Sequence, residues 1–150
     1  MASPSSTTPD RRALLALSRR EWALLGAAAI LLPATTAALK VFGYGRVERW
    51  SRQAVPLRRP KAGEAGTAAT TARVVRIAAG RLPVPSRCLA QSIVLRTLLR
   101  AQGVDSQLRI GVRLAARDLS AHAWVEHAGR PLNDTADVAE RYGPLPLPPA

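Results

Sequence analysis

The chain has 150 residues, 47% of them apolar, which allows one modest core in one domain or in a small domain with an appendage. Its net charge of +12 is carried almost wholly by arginine and spread along the chain; no basic run is interleaved with aromatics and no zinc-finger or recognition-motif pattern occurs, so nucleic acid is not an expected partner. The single cysteine, Cys88, excludes an internal disulfide and a multi-cysteine metal site, and no metal or cofactor is expected.

Few residues are aromatic, so Trp22, Trp50 and Trp124 are expected to supply much of the bulk. Residues 1–9 are rich in Ser, Thr and Pro and read as disordered. Asp10 can cap a short helix carrying Leu14, Leu15 and Leu17. Ser18-Arg19-Arg20-Glu21 is a capping box, with Ser18 as N-cap and Glu21 reaching back. The helix it opens is apolar through Leu32, and Pro33 is expected to end or kink it. From Trp22 to Leu39 the chain is uncharged, at the short limit for a membrane span, with Arg19 and Arg20 before it and Lys40 after it. A secretory signal or a basic surface helix shares that signature. Alanine richness, Pro33, Thr35 and Thr36 favour instead a helical hairpin packed on the domain. A cytoplasmic chain with at most peripheral membrane contact is therefore expected.

Residues 37–55 read as helical, with Val41, Val47 and Trp50 near one side, although Gly43 and Gly45 weaken the pattern. Residues 56–66, with Pro56, Pro60, Gly63 and Gly66, read as a linker. This divides the chain into an N-terminal helical region with linker, 1–66, and a core, 67–150. Residues 67–80 should be a helix carrying Val74, Val75 and Ile77. Pro83 and Pro85 then keep the chain extended. Residues 87–102 form the next expected helix, striped with Leu89, Ile93, Leu95, Leu98 and Leu99 and stopped by Gly103. Cys88 falls in its first turn, where unpaired N–H groups and the helix dipole favour a negatively charged nucleophile and can help an oxyanion.

Leu108, Ile110, Val112 and Leu114 alternate as a half-buried strand, and residues 121–127 form another with His122, Trp124 and Glu126 on one face. A three-residue loop, His127-Ala128-Gly129, would pair Glu126 with Arg130, Trp124 with Leu132 and His122 with Asp134; a one-residue slip would turn Asp134 to the wrong face. A lone cysteine is usually a small buried apolar residue. Here a histidine and an aspartate follow it, and thiol, imidazole and carboxylate can act as nucleophile, base and orienting group. Asp137 and Glu140 compete with Asp134 but suit a capping role near Thr135. Asn133 alternates to the other face, His127 reads as a solvated loop residue, and Glu126 with Arg130 reads as a surface pair. Trp124 and Leu132 are expected to pack against the Cys88 helix. The second oxyanion donor is unassigned, and the tail from Pro144 reads as loose.

Taken together, Cys88-Leu89-Ala90-Gln91-Ser92, Leu98-Leu99-Arg100-Ala101-Gln102-Gly103-Val104, Arg109-Ile110-Gly111-Val112, Ala121-His122-Ala123-Trp124-Val125-Glu126, Leu132-Asn133-Asp134 and Ala139-Glu140-Arg141-Tyr142 resemble the lasso peptide biosynthesis B2 proteins. The resemblance is close over roughly residues 70–145. It implies an α+β fold with a papain/transglutaminase-like core, in which a Cys-bearing helix packs on a small antiparallel sheet behind an N-terminal helical region. It implies a cysteine leader peptidase acting on a ribosomal precursor peptide through Cys88, His122 and Asp134. It also implies a separate B1-type leader-recognition protein and a lasso cyclase as partners. A transglutaminase-like acyltransferase and a non-catalytic peptide-binding scaffold are the alternatives.

Overall fold

The computed structural model describes residues 16–55, 63–82, 88–115 and 118–145. The expectations for residues 1–9, the helix capped by Asp10, most of the 56–66 linker, the Pro83–Pro85 approach and the end of the tail lie outside the described residues. Four helices come first: α1 (Arg19–Phe42), α2 (Tyr44–Ala54), α3 (Glu64–Arg81) and α4 (Cys88–Ala101). They are followed by β1 (Gln107–Ala115), β2 (Asp118–His127), β3 (Arg130–Pro131), the short α5 (Val138–Arg141) and β4 (Gly143–Pro144). The fold is α+β, with a helical layer packed on an antiparallel sheet of order β3-β2-β1-β4.

The capping box opens α1: Glu21 N–H donates to Ser18 Oγ at 3.3 Å, and Ser18 N–H donates to Glu21 Oε2 at 2.8 Å. Pro33 lies inside the helix and does not end it. It removes one backbone donor, a cost that packing of the turn can offset. Leu32 is almost wholly buried just before it, and Thr36, also buried, donates to Leu32 O at 2.8 Å. The break comes at Gly43, whose φ of 75° suits glycine and lets the chain turn into α2. The uncharged stretch is therefore part of one 24-residue helix.

Leu25, Ala28 and Leu32 of α1 meet Ala72, Val74, Val75 and Ala78 of α3, and Ile93, Leu95 and Leu99 of α4. Each large aliphatic side chain buried here stabilises the fold by about 1.5–3 kcal/mol, and the alanines let the helices approach closely. Two of the tryptophans do not take the expected part. Trp22 is 49% exposed and Trp50 46%, and only Trp124 of the three is buried.

Polar contacts fasten α2 to α4. The buried Arg96 grips Glu48 with both terminal nitrogens, at 2.6 and 2.7 Å, and reaches Ser51 Oγ at 3.0 Å. Arg52 adds a bond to Glu48 at 2.8 Å. Burial pushes the Glu48 carboxyl up, but the hydrogen bonds and charges of Arg96 and Arg52 outweigh it and hold the group below the usual carboxylate range. In the sheet, Gly111 of β1 stands opposite His122 of β2 and also pairs with Pro144 of β4. Leu145 N–H donates to Ile110 O at 2.8 Å, so the start of the tail is tied to the sheet edge rather than loose.

Candidate active site

Cys88 is the first residue of α4, a free thiol, half-buried against the core. Ser92 lies one turn further on the same helix face, about 6 Å along the axis. Its hydroxyl is fully buried, donates to Ala123 O at 3.1 Å and accepts from Asn133 Nδ2 at 3.0 Å. Asn133 Oδ1 in turn accepts from Val125 N–H at 2.8 Å. These bonds clamp the Cys88 end of α4 to β2 next to His122. Sequence alternation set Asn133 aside, because a strand pattern is blind to a side chain that turns back on its neighbour's backbone.

The hairpin differs from the expected one. Ala128 and Gly129 have φ of 49° and 74°, and His127 pairs with Arg130 and Glu126 with Pro131. This is a two-residue turn of the kind that takes positive φ at both central positions. Alanine rarely adopts that conformation, which is why the sequence favoured a three-residue loop. Continued, the actual register would turn Asp134 to the wrong face. The strand is not continued: β3 is two residues long, and the chain bends over Leu132–Asp134. The bend delivers Asp134 Oδ2 to Nε2 of His122. Among the described residues, the outer edge of β2 carries no strand partner beyond Val125 towards Ala121, and there the α4 clamp and the bend come in.

Asp134 is held from several sides. Its Oδ1 accepts from Thr135 N–H at 2.7 Å, from Thr135 Oγ1 at 3.2 Å and from Arg141 Nη2 at 2.7 Å. Burial raises its carboxyl, but the hydrogen bonds from His122 and Thr135 and the His122 charge outweigh burial and hold it below the usual range. An ionised carboxylate only accepts, so Nε2 of His122 is the donor in this contact. In the neutral ring Nδ1 is then left as the basic nitrogen.

The imidazole lies against two aromatic rings, with Tyr142 at 5.0 Å and Trp124 at 6.2 Å between centroids. Gly111 makes this arrangement fit. A Cβ there would lie 2.8 Å from Tyr142 Cβ, 3.0 Å from Trp124 Cη2 and 3.1 Å from Gly143 O. Ala123 and Val125 join the core with α4, whereas Trp124 alternates to the opposite face with His122, its ring edge over Gly111. Trp124 therefore does not pack on the Cys88 helix as expected. Its Nε1 donates to Glu126 at 2.9 Å, and Glu126 pairs with Arg109 at 3.0 Å, not with Arg130. Glu126 faces Pro131 in the shifted register, so that partner is lost.

The competing carboxylates are elsewhere. Asp137 bonds Thr135 and pairs with Arg141 at 3.1 Å, and Glu140 lies on the exposed side of α5. His127 is the last residue of β2 rather than part of the loop, and its Nδ1–H donates to Asp105 O at 2.7 Å. Among the described residues no group of three or more His, Cys, Asp or Glu is placed to hold a metal. Their hydrogen bonds join His122 to Asp134 and α4 to β2, and include none between the Cys88 sulfur and the imidazole. Such contacts commonly tighten only with substrate bound.

The profile of the Transglutaminase-like superfamily matches residues 28–146, from the middle of α1 to the end of the described chain. No curated protein and no solved structure gives a significant match.

Proposed function

The chain belongs to the transglutaminase-like superfamily, and from that premise we propose that it is a cysteine peptidase that removes the leader from a ribosomally made lasso precursor peptide. The observation that carries this reading is the His122–Asp134 contact, which leaves Nδ1 of His122 free to act as a base near the clamped, Cys88-bearing end of α4. On this reading Cys88 reaches the imidazole around the outer edge of β2. Its thiol gives its proton to Nδ1, and the sulfur attacks the carbonyl of the last leader residue. As the amide bond breaks, His122 returns the proton to the leaving amine, which becomes the new amino terminus. Water, deprotonated by the same nitrogen, releases the leader from the thioester. Asp134 holds the ring in one tautomer and supports its charge.

The substrate class rests on the motif resemblance to lasso B2 proteins. With it come a separate leader-recognition protein, which brings the precursor, and a cyclase, which consumes the product. The test is to incubate the protein with a precursor peptide, with and without that recognition protein, and read the products by mass spectrometry. A free leader and a core peptide with a new amino terminus, formed much faster with the recognition protein present, are expected. A cross-linked peptide would make the chain an acyltransferase, and unchanged precursor would make it a scaffold.

A further inference from the structure

A helix that is apolar all round is normally covered all round. Among the described residues, helix α1 is covered on one side only. Leu25, Ala28, Leu32 and Thr36 face α3 and α4, while Trp22, Ala23, Gly26, Ile30, Ala34, Ala37 and Val41 follow one another at helical spacing on the outside. Ile30 and Val41 are each 72% exposed. Phe42, at the end of the same helix, stacks edge-on against Trp50 of α2 at 5.0 Å, and both rings are exposed. Among the described residues, five of the eight large exposed hydrophobic ones belong to these two helices. Among the described residues α1 is the one helix long and apolar enough to cross a membrane, yet its inner face is built into the core, so in this fold it lies along the surface.

Among the described residues, the charges around this face that are not in ion pairs are all of one sign. Helices α1 and α2 hold six basic residues and two acidic ones, and both acids are already engaged, Glu21 with Arg73 and Glu48 with Arg96 and Arg52. Arg19 stands at one end of the apolar strip, Lys40 at the other, and Arg46 and Arg49 beside Trp50, all exposed. No charged side chain interrupts the strip between Trp22 and Leu39. We propose that the outer face of α1, with Phe42 and Trp50, docks on an anionic lipid surface, the apolar strip entering the acyl boundary and the flanking cations meeting headgroups. Aromatic rings at the ends of an apolar strip with cations around it suit that boundary. Docking is independent of the chemistry at Cys88.

The experiment is co-sedimentation of the full chain with vesicles of phosphatidylglycerol mixed with phosphatidylcholine, and with vesicles of phosphatidylcholine alone, at low and high salt. Solution mass is measured in parallel by light scattering. Binding to the anionic vesicles is expected, falling with salt and weak on neutral vesicles. Ile30→Glu with Val41→Glu changes only exposed positions and should abolish pelleting while leaving the circular dichroism unchanged. Arg46→Gln with Arg49→Gln should weaken it by about 30-fold. Failure of the unmodified chain to bind anionic vesicles overturns the proposal. So does equal binding by the glutamate variant, or a dimer that the glutamate variant turns into a monomer, which would assign the face to a second copy.

Discussion

Asp134 meets Nε2 of His122 although the ladder between β2 and β3 never pairs them. The contact is made by a bend, and the bend is held by Asn133 on Val125 and by Thr135 and Arg141 on Asp134. Asp134→Asn should therefore leave the fold intact, because an amide still accepts from the ring. Turnover of precursor should fall by about 10²- to 10⁴-fold, because the imidazolium loses its counter-charge. Asp137→Asn should stay near wild type. Rates measured by product mass spectrometry decide this; the reverse order would make Asp137 the partner.

The residues of this candidate site and the His122–Asp134 contact were legible in the sequence, and the route that makes the contact was not. A cysteine at a helix start, a histidine on a strand and an aspartate after the next turn can be read from residue type and period. The route from His122 to Asp134 cannot, because it depends on Ala128 adopting positive φ and on β3 stopping after two residues. The Ser92–Asn133 clamp and the Arg96–Glu48 pair join residues 41 and 48 positions apart, beyond the reach of any local pattern. Trp22 and Trp50 were misplaced for a related reason: hydrophobicity says that a ring should be covered, not by what.

The clamp predicts a second result. Asn133→Ala removes the partner of Val125 N–H and one partner of Ser92, at a cost of about 1–3 kcal/mol. The same change frees the bend that carries Asp134, so turnover should fall more than thermal stability explains. Ser92→Thr keeps the hydroxyl and should retain more activity than Ser92→Val. Unfolding curves and initial rates on the same samples separate the two effects; equal rates for both Ser92 variants would remove the clamp from the account.

Gly111 is the third point. Gly111→Ala places a methyl group against Tyr142, Trp124 and the Gly143 carbonyl, and overpacking of this kind costs about 1–3 kcal/mol. The relief is a shift of Tyr142 away from His122. Near-ultraviolet circular dichroism should change with the aromatic rings, and precursor turnover should drop. An alanine variant with wild-type spectrum and rate would show that β4 gives way freely.

Acid should weaken the join between α2 and α4 before the rest of the helical layer. Glu48 titrates below its unfolded value, so its stabilising contribution is complete above about pH 4 and is lost as the pH falls through the lower folded value. Asp134 behaves in the same sense at the site. Arg96→Ala should cost about 1–3 kcal/mol at neutral pH by taking two charge-assisted hydrogen bonds from the half-buried Glu48 carboxylate, which keeps Arg52, and much of that cost should vanish in acid. Chemical denaturation of both proteins at pH 7 and at pH 3 tests this; a difference that persists unchanged at pH 3 would contradict it.

The central claim is that Cys88 carries the acyl group during cleavage. The direct measurement is intact-protein mass spectrometry after rapid acid quench of the protein mixed with precursor and recognition protein. The account predicts an adduct of the leader mass less one water, mapped to Cys88. It further predicts that Cys88→Ala, with unchanged circular dichroism, shows neither adduct nor cleaved product. Cleavage by the alanine variant at the wild-type rate would contradict it.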